Sequence, residues 1–333
     1  MVAGLAKHTA KRVKTAPMSE AIVNQTIART PAEDADSGVG AWEHVSFSIV
    51  HAFAAGLLTI LRLRGLYHVA RGFGTIEWLV NYKRRRRFAA ALEAVLGRRP
   101  TGYERRRHTR EYFCQNRCDR LFYLIFDRIP RDQAAGLLTF HNRELFDEAV
   151  ARGRGVYTTL AHHGAQHILG LLMPLHGYKV AGVRDRREGA LRRFVQSRLD
   201  RLYPGLGRAR VLFADAFPRE TYRCLQEGYA LGSALDISRV RDANQKHEEV
   251  EIFGQRRFFP TGPIRIALHC RSPVLQAFVL PEPGFRYRFD VVGILIDPDA
   301  VEEEAAAVRQ AIHTYAKNVE AQTRARPSLI SRV

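Results

Sequence analysis

The chain has 333 residues, 46% of them hydrophobic, which is enough for a substantial core and excludes a disordered polymer. It carries 52 Lys and Arg against 34 Asp and Glu, a net charge of +18. Charge of this size selects no fold, but it points to anionic partners such as phospholipid, nucleic acid or an acidic carrier protein. Four cysteines (Cys114, Cys118, Cys224 and Cys270) are too few and too irregularly spaced for a disulfide framework or a zinc module. A reducing compartment is therefore expected.

Residues 1–40 read as a basic tail followed by a linker, PAEDADSGVG, with no sustained apolar stretch of the kind a signal peptide needs. The uncharged run over 44–61, HVSFSIVHAFAAGLLTIL, is at the short end for crossing a bilayer and contains His44, Ser46, Ser48 and His51. Three alternatives stand for it: a membrane span, a helix lying in the interface, or a buried helix. The pattern from about 42 to 129 is helical throughout, so residues 41–130 are expected to form a helical, membrane-associating region. It includes KRRRR (83–87), RRRH (105–108) and an amphipathic segment from Tyr103 to Ile129. Those basic runs are either solvated helix faces or points of attraction for anionic head groups.

From 131 to 325 the pattern alternates. Strands are expected over 155–161, 178–183, 209–214, 229–237, 248–253, 272–280 and 285–296. Helices are expected over 167–176, 188–203 and 218–228, with a last one opening at Asp297-Pro298 and running to about Thr323. Alternation of this kind predicts an α/β domain, with a mostly parallel central sheet flanked by helices.

The densest chemistry lies in AHHGAQH (161–167), where a buried strand gives way to a helix, the edge at which open α/β sheets bind ligands. Gly164 permits the tight turn. Three histidines within six residues allow ordinary core or surface roles, a metal site, or general-base catalysis. His163 and His167, four apart, would share a helix face as zinc ligands do, but no third ligand accompanies them and no metal is expected.

The segment GRGVYTTLAHHGAQHILGLLM resembles the first block of the bacterial lipid A biosynthesis acyltransferases, within the wider glycerolipid acyltransferase superfamily. Members carry His-x4-Asp/Glu after a strand. His162 falls on the catalytic base, Gly164 on the glycine, and His167 where the family has its acid. GVRDRREGALRRFVQSRL (182–199) is similar to the second block, placing its arginine at Arg184. LQEGYALGSALDISR (225–239) is similar to the third, with Asp236 in the acidic position after a strand. VEIFGQRRFFPTGPIRIALHCRSPVLQAFVL (250–280) resembles the fourth, including the FPTGP turn that contains Thr261 and Gly262. The likeness covers about residues 42–325.

This resemblance implies transfer of a fatty acyl group from a thioester, on acyl carrier protein or CoA, to a hydroxyl of a glycolipid or other membrane lipid. It implies no further cofactor, and a place on the cytoplasmic face of a bacterial inner membrane. Arg184 would contact a phosphate or oxyanion, and backbone N–H groups at Thr261 and Gly262 could bind a phosphate. No helix-turn-helix, zinc finger or RNP-type motif supports a nucleic-acid partner.

Two departures stand out: a histidine replaces the motif acid, and the chain ends RPSLISRV without the family's Trp-rich ending. A neutral His167 can accept a hydrogen bond but supplies no negative charge. Three outcomes are open: Asp236 takes over as the acid, a His162–His167 pair works alone, or the chain is a degenerate homologue that binds lipid without turnover.

Overall fold

The computed structural model describes residues 41–184, 194–195, 209–213, 217–236 and 246–330. The tail expected over 1–40 lies outside the described residues, as does the helix expected over 188–203 except for Phe194 and Val195.

Three helices open the described chain: α1 (Ala41–Val80), α2 (Tyr82–Leu96) and α3 (Gly102–Ile125). Their boundaries follow from capping. The Asn81 side chain accepts from the Arg84 N–H at the start of α2. Thr101 and Glu104 exchange side-chain and backbone hydrogen bonds in a capping box before α3, which satisfies two otherwise orphaned N–H groups.

α1 and α3 pack closely. A Cβ added at Gly74 would meet Cys114 Cα at 2.5 Å and Phe113 O at 2.9 Å, so only glycine allows this approach. The Arg71 guanidinium donates to both Glu111 carboxylate oxygens at 2.7 Å. Glu77 accepts from Arg84 at 3.0 Å and Arg117 at 2.5 Å. Part of the basic run on α2 is therefore used internally. Lys83, Arg86 and Arg87 remain exposed, with no ion pair among the described residues.

α1 is bent at Arg62, whose backbone (φ 53°, ψ −179°) leaves the helical region. One face of its first half packs inward through His51 and Ala54. The other exposes Trp42, Val45, Ile49, Phe53 and Ile60 at helical spacing. Trp42–Val80 is long and apolar enough to cross a membrane by length and composition.

The rest builds a seven-stranded sheet, and the α/β expectation holds. Its strands are β1 (Leu138–His141), β2 (Val156–Leu160), β3 (Val180–Arg184), β4 (Ala209–Phe213), β5 (Ala230–Ala234), β8 (Val274–Glu282) and β9 (Arg286–Ile296). The order is β1-β9-β8-β2-β5-β3-β4, parallel except for β8 against β9. β6 (His247–Ile252) and β7 (Gln255–Pro260) form a separate antiparallel hairpin. The helices are α4 (Arg131–Ala135), α5 (Arg143–Ala151), α6 (Gln166–Leu172), α7 (Phe217–Gln226), α8 (Gly262–His269) and α9 (Glu304–Ala325). β1, β7, α4 and α5 had no counterpart among the expected elements. The last helix begins at Glu304, because Pro298–Ala300 makes only one short 3-10 turn.

Both sheet faces are covered, which explains why β2 is buried at every position. On one side Val156, Leu275 and Phe289 join Leu66 and Tyr67 of α1 and Phe122 of α3 in one core. On the other, Tyr157, Val274 and Phe278 pack with Ile312 and Tyr315 of α9. The helical segment 41–130 thus shares its core with the sheet.

Asp119 of α3 sits inside this junction. It accepts from Gln115 Nε2 at 2.8 Å and from the Tyr287 hydroxyl at 3.5 Å. Burial pushes its carboxyl up to about 7.

Two outcomes follow. Gly74→Ala forces α1 off α3 and is expected to cost about 1–3 kcal/mol in denaturant unfolding, the range for overpacking a close contact. Asp119 has a folded-state value above that of the unfolded chain, so its contribution is complete below about pH 4 and is lost as pH rises through about 7. Asp119→Asn should flatten the fall in melting temperature across that window.

Candidate active site

The sheet's central pair fixes the site. β2 and β5 run parallel with Leu160 opposite Ala234, so two residues further along each strand His162 comes level with Asp236. The Asp236 carboxylate grips His162 at two points. Oδ2 accepts the His162 backbone N–H at 2.7 Å, and Oδ1 lies 2.8 Å from Nδ1. An ionised carboxylate only accepts, so Nδ1 carries a proton, which in the neutral ring leaves the Nε2 lone pair free. Nε2 has no hydrogen-bond partner among the described residues, and the two side chains are 17% and 18% exposed. The arrangement is an oriented, carboxylate-backed imidazole that can accept a proton from outside.

The surrounding loop is rigidly backed. Leu160 O accepts from the buried Tyr315 hydroxyl at 2.7 Å, and Tyr315 O accepts from Gln276 at 3.2 Å. Gly164 has φ +79°, and a Cβ there would run into the Val279 carbonyl. Its N–H donates to Leu329 O at 2.7 Å, and the Ala165 N–H donates to Val279 O at 2.8 Å. The C-terminal segment therefore closes over the loop from behind. Sequence reasoning missed Tyr315, because nothing in its own helix marks it for a strand end 155 residues away.

The other histidines have different fates. His163 precedes α6 rather than sharing a helix face with His167, which corrects that expectation. It is 2% exposed, its Nε2 donates to Arg326 O at 3.0 Å, and its ring meets Phe278 edge-on at 5.9 Å. Burial lowers it to about 4, so it is neutral and structural. His167 stands in the first turn of α6, half-buried, with its ring 6.3 Å from that of Tyr123. Among the described residues, the hydrogen bonds of His162 run to Asp236 and not to His167.

Arg184 ends β3, beside β5 at the same carboxyl edge of the sheet. Its side chain lies outside the described residues, as do Arg186 and Arg187. Thr261 is buried, and both its N–H and its hydroxyl donate to Lys246 O at 3.1 Å. Gly262 begins α8, with Pro263 in the first turn. The described contacts do not join Thr261 or Gly262 to His162. The Thr261 hydroxyl is spent on holding the turn.

Gly164→Ala is expected to cost about 1–3 kcal/mol, from its positive φ and the Val279 clash. It should also speed amide exchange across residues 162–165. Unchanged exchange there would remove the case for a loop held by backbone fit.

The comparisons extend this geometry. No curated protein matches the chain. A family model described as bacterial lipid A biosynthesis acyltransferase matches residues 42–328, which takes in the α1 helix, the whole sheet and the segment behind the loop. The chain belongs to the bacterial lipid A biosynthesis acyltransferase family, and it is an acyltransferase.

Proposed function

We propose that the chain moves a fatty acyl group from a thioester donor to a hydroxyl of a glycolipid or other membrane lipid, with His162 as the general base and Asp236 as its acid partner. The two-point contact between Asp236 and His162 carries this reading.

His162 Nε2 takes the proton of the acceptor hydroxyl as its oxygen attacks the thioester carbonyl. Asp236 Oδ1 holds the Nδ1–H and offsets the positive charge that forms on the ring. The tetrahedral intermediate then expels the thiolate, which takes the proton back from Nε2. An ester and a free thiol result, with the enzyme unchanged. In this scheme the carboxylate missing from position 167 is supplied from the neighbouring strand, and His167 is not required for proton transfer. Arg184, at the adjacent strand end, would contact a phosphate or the oxyanion. Thr261, whose N–H and hydroxyl both donate to Lys246 O, would shape the turn before α8, and the Gly262 N–H at the start of that helix would be the one left to meet a phosphate.

Residues 41–130 would be the membrane-associated region and 131–325 the acyltransferase domain. The stripe Trp42, Val45, Ile49, Phe53 and Ile60 lies on the face of α1 turned away from the protein, which favours a helix lying in one leaflet over a lone crossing segment. About 21 residues precede the bend at Arg62, roughly 31 Å of helix. Exposed Lys83, Arg86, Arg87, Arg105 and Arg107 suit anionic head groups or an acidic acyl carrier protein, and CoA is the other donor the chemistry accepts. Four free cysteines accord with the cytoplasmic face of a bacterial inner membrane.

Purified enzyme with labelled acyl thioesters and a membrane lipid extract tests the assignment. His162→Ala should abolish transfer. Asp236→Asn should lower kcat by about 10⁴-fold, the loss seen when the carboxylate of an analogous triad is neutralised. His167→Ala should retain most of the activity. The reverse order, with Asp236→Asn active and His167→Ala dead, contradicts the assignment.

A further inference from the structure

An open groove of about 760 Å³, with no residue of the His162 loop in its lining, lies between α1 and the segment linking α3 to α4. Its floor is a run of small residues on one face of α1: Ala52, Ala55, Gly56 and Thr59. Two arginines line it, Arg62 from α1 and Arg128 from the opposite wall.

A buried clamp builds the groove. His51 Nε2 donates to Asp127 Oδ1 at 2.8 Å and also lies 3.1 Å from Oδ2. The two side chains are 3% and 4% exposed. This bond pins α1 to the 3-10 turn Phe126–Arg128, one residue before Ala52 on one wall and one before Arg128 on the other. It also engages the Asp127 carboxylate that adjoins Arg128. Arg128 is left with a loose 3.8 Å approach to Asp127 Oδ2, and Arg62 makes no hydrogen bond or ion pair among the described residues.

The bend in α1 supplies the second observation. Arg62 holds φ 53° and ψ −179°, a conformation that favours glycine and costs an ordinary residue about 1–3 kcal/mol. Gly65 accommodates it, since a Cβ there would meet Leu61 Cβ at 2.8 Å. The strained residue, Arg62, is one of the two arginines that line the groove.

We propose that this groove binds one anionic glycerophospholipid of the surrounding bilayer, its phosphodiester held by Arg62 and Arg128 and one acyl chain laid along Ala52, Ala55 and Gly56. Guanidinium forks match phosphate oxygens. The volume suits a head group with the upper part of a chain. The trough gives apolar room that a free phosphate ion would not use. The groove also adjoins the exposed stripe, since Ala52 neighbours Phe53 and Thr59 neighbours Ile60, so a chain leaving it enters the layer that the stripe contacts. The choline cation of a zwitterionic lipid would meet two positive charges. The groove's lining includes neither His162 nor Asp236, so the proposal does not rest on their catalytic assignment.

Native mass spectrometry of the full-length protein in mild detergent tests the site. Phosphatidylglycerol or phosphatidylcholine would be added, and protein folding followed by circular dichroism. Wild type should retain one phosphatidylglycerol in preference to phosphatidylcholine. Arg62→Gln and Arg128→Gln should each weaken the preference about fivefold, the equivalent of about 1 kcal/mol per basic residue. Arg62→Lys should restore most of it. Gly56→Leu should expel the lipid without unfolding, because a Cβ at position 56 meets nothing within 4 Å of the protein. His162→Ala should bind lipid like wild type, so failure of the catalytic assignment and failure of this site are read separately. Equal retention of the two lipids, an unchanged preference in folded Arg62→Gln and Arg128→Gln, retention in Gly56→Leu, or displacement by inorganic phosphate alone would each overturn the proposal.

Discussion

The structure depends on the parallel register between β2 and β5. A slip of one residue would turn the side chains of one strand to the opposite face and carry Asp236 away from His162. With Leu160 level with Ala234, the carboxylate reaches both the backbone and the ring of the histidine. The backbone bond fixes where the loop starts and the ring bond fixes how the imidazole faces. One side chain thereby sets position and orientation together, and Nε2 is left for chemistry. The members of this pair follow different strands, so under the proposed function the loop motif need not contain its own acid.

Everything around the pair resists that slip. Tyr315 holds the last carbonyl of β2 from the α9 side. Gly164 lets the loop press against Val279, and the segment after α9 closes behind it through Leu329 and Arg326. On the other face, the shared core of Leu66, Tyr67, Phe122 and Phe289 joins α1 and α3 to the sheet. The half of α1 beyond the bend at Arg62 is therefore packed onto the sheet that carries His162. Under the proposed function, this packing would hold the helix that faces lipid in place against the sheet that bears His162.

Much of this was legible in the sequence, and the exceptions have physical causes. β2, β3, β5, β8 and β9 were expected because buried strands read as apolar runs of the right length. β1 is only four residues, LTFH, at the sheet edge, and β7, QRRFFP, is mostly exposed and exists because β6 pairs with it. Neither carries a pattern of its own. In the site, His162, Gly164 and Asp236 stood out by type and place, but the choice between Asp236 and His167 as partner needed the strand order, which no local pattern contains. His51 was visible as a polar residue in an apolar run, while its partner Asp127 lies 76 positions away and gave no signal.

The most direct measurement of the central interaction is nitrogen-15 NMR of histidine-labelled protein, with the His162 ring assigned by its absence in His162→Ala. The account predicts a neutral ring protonated at Nδ1, with a strongly deshielded Nδ1–H that vanishes in Asp236→Asn. A ring protonated at Nε2, or an Nδ1–H signal unchanged by Asp236→Asn, would contradict it.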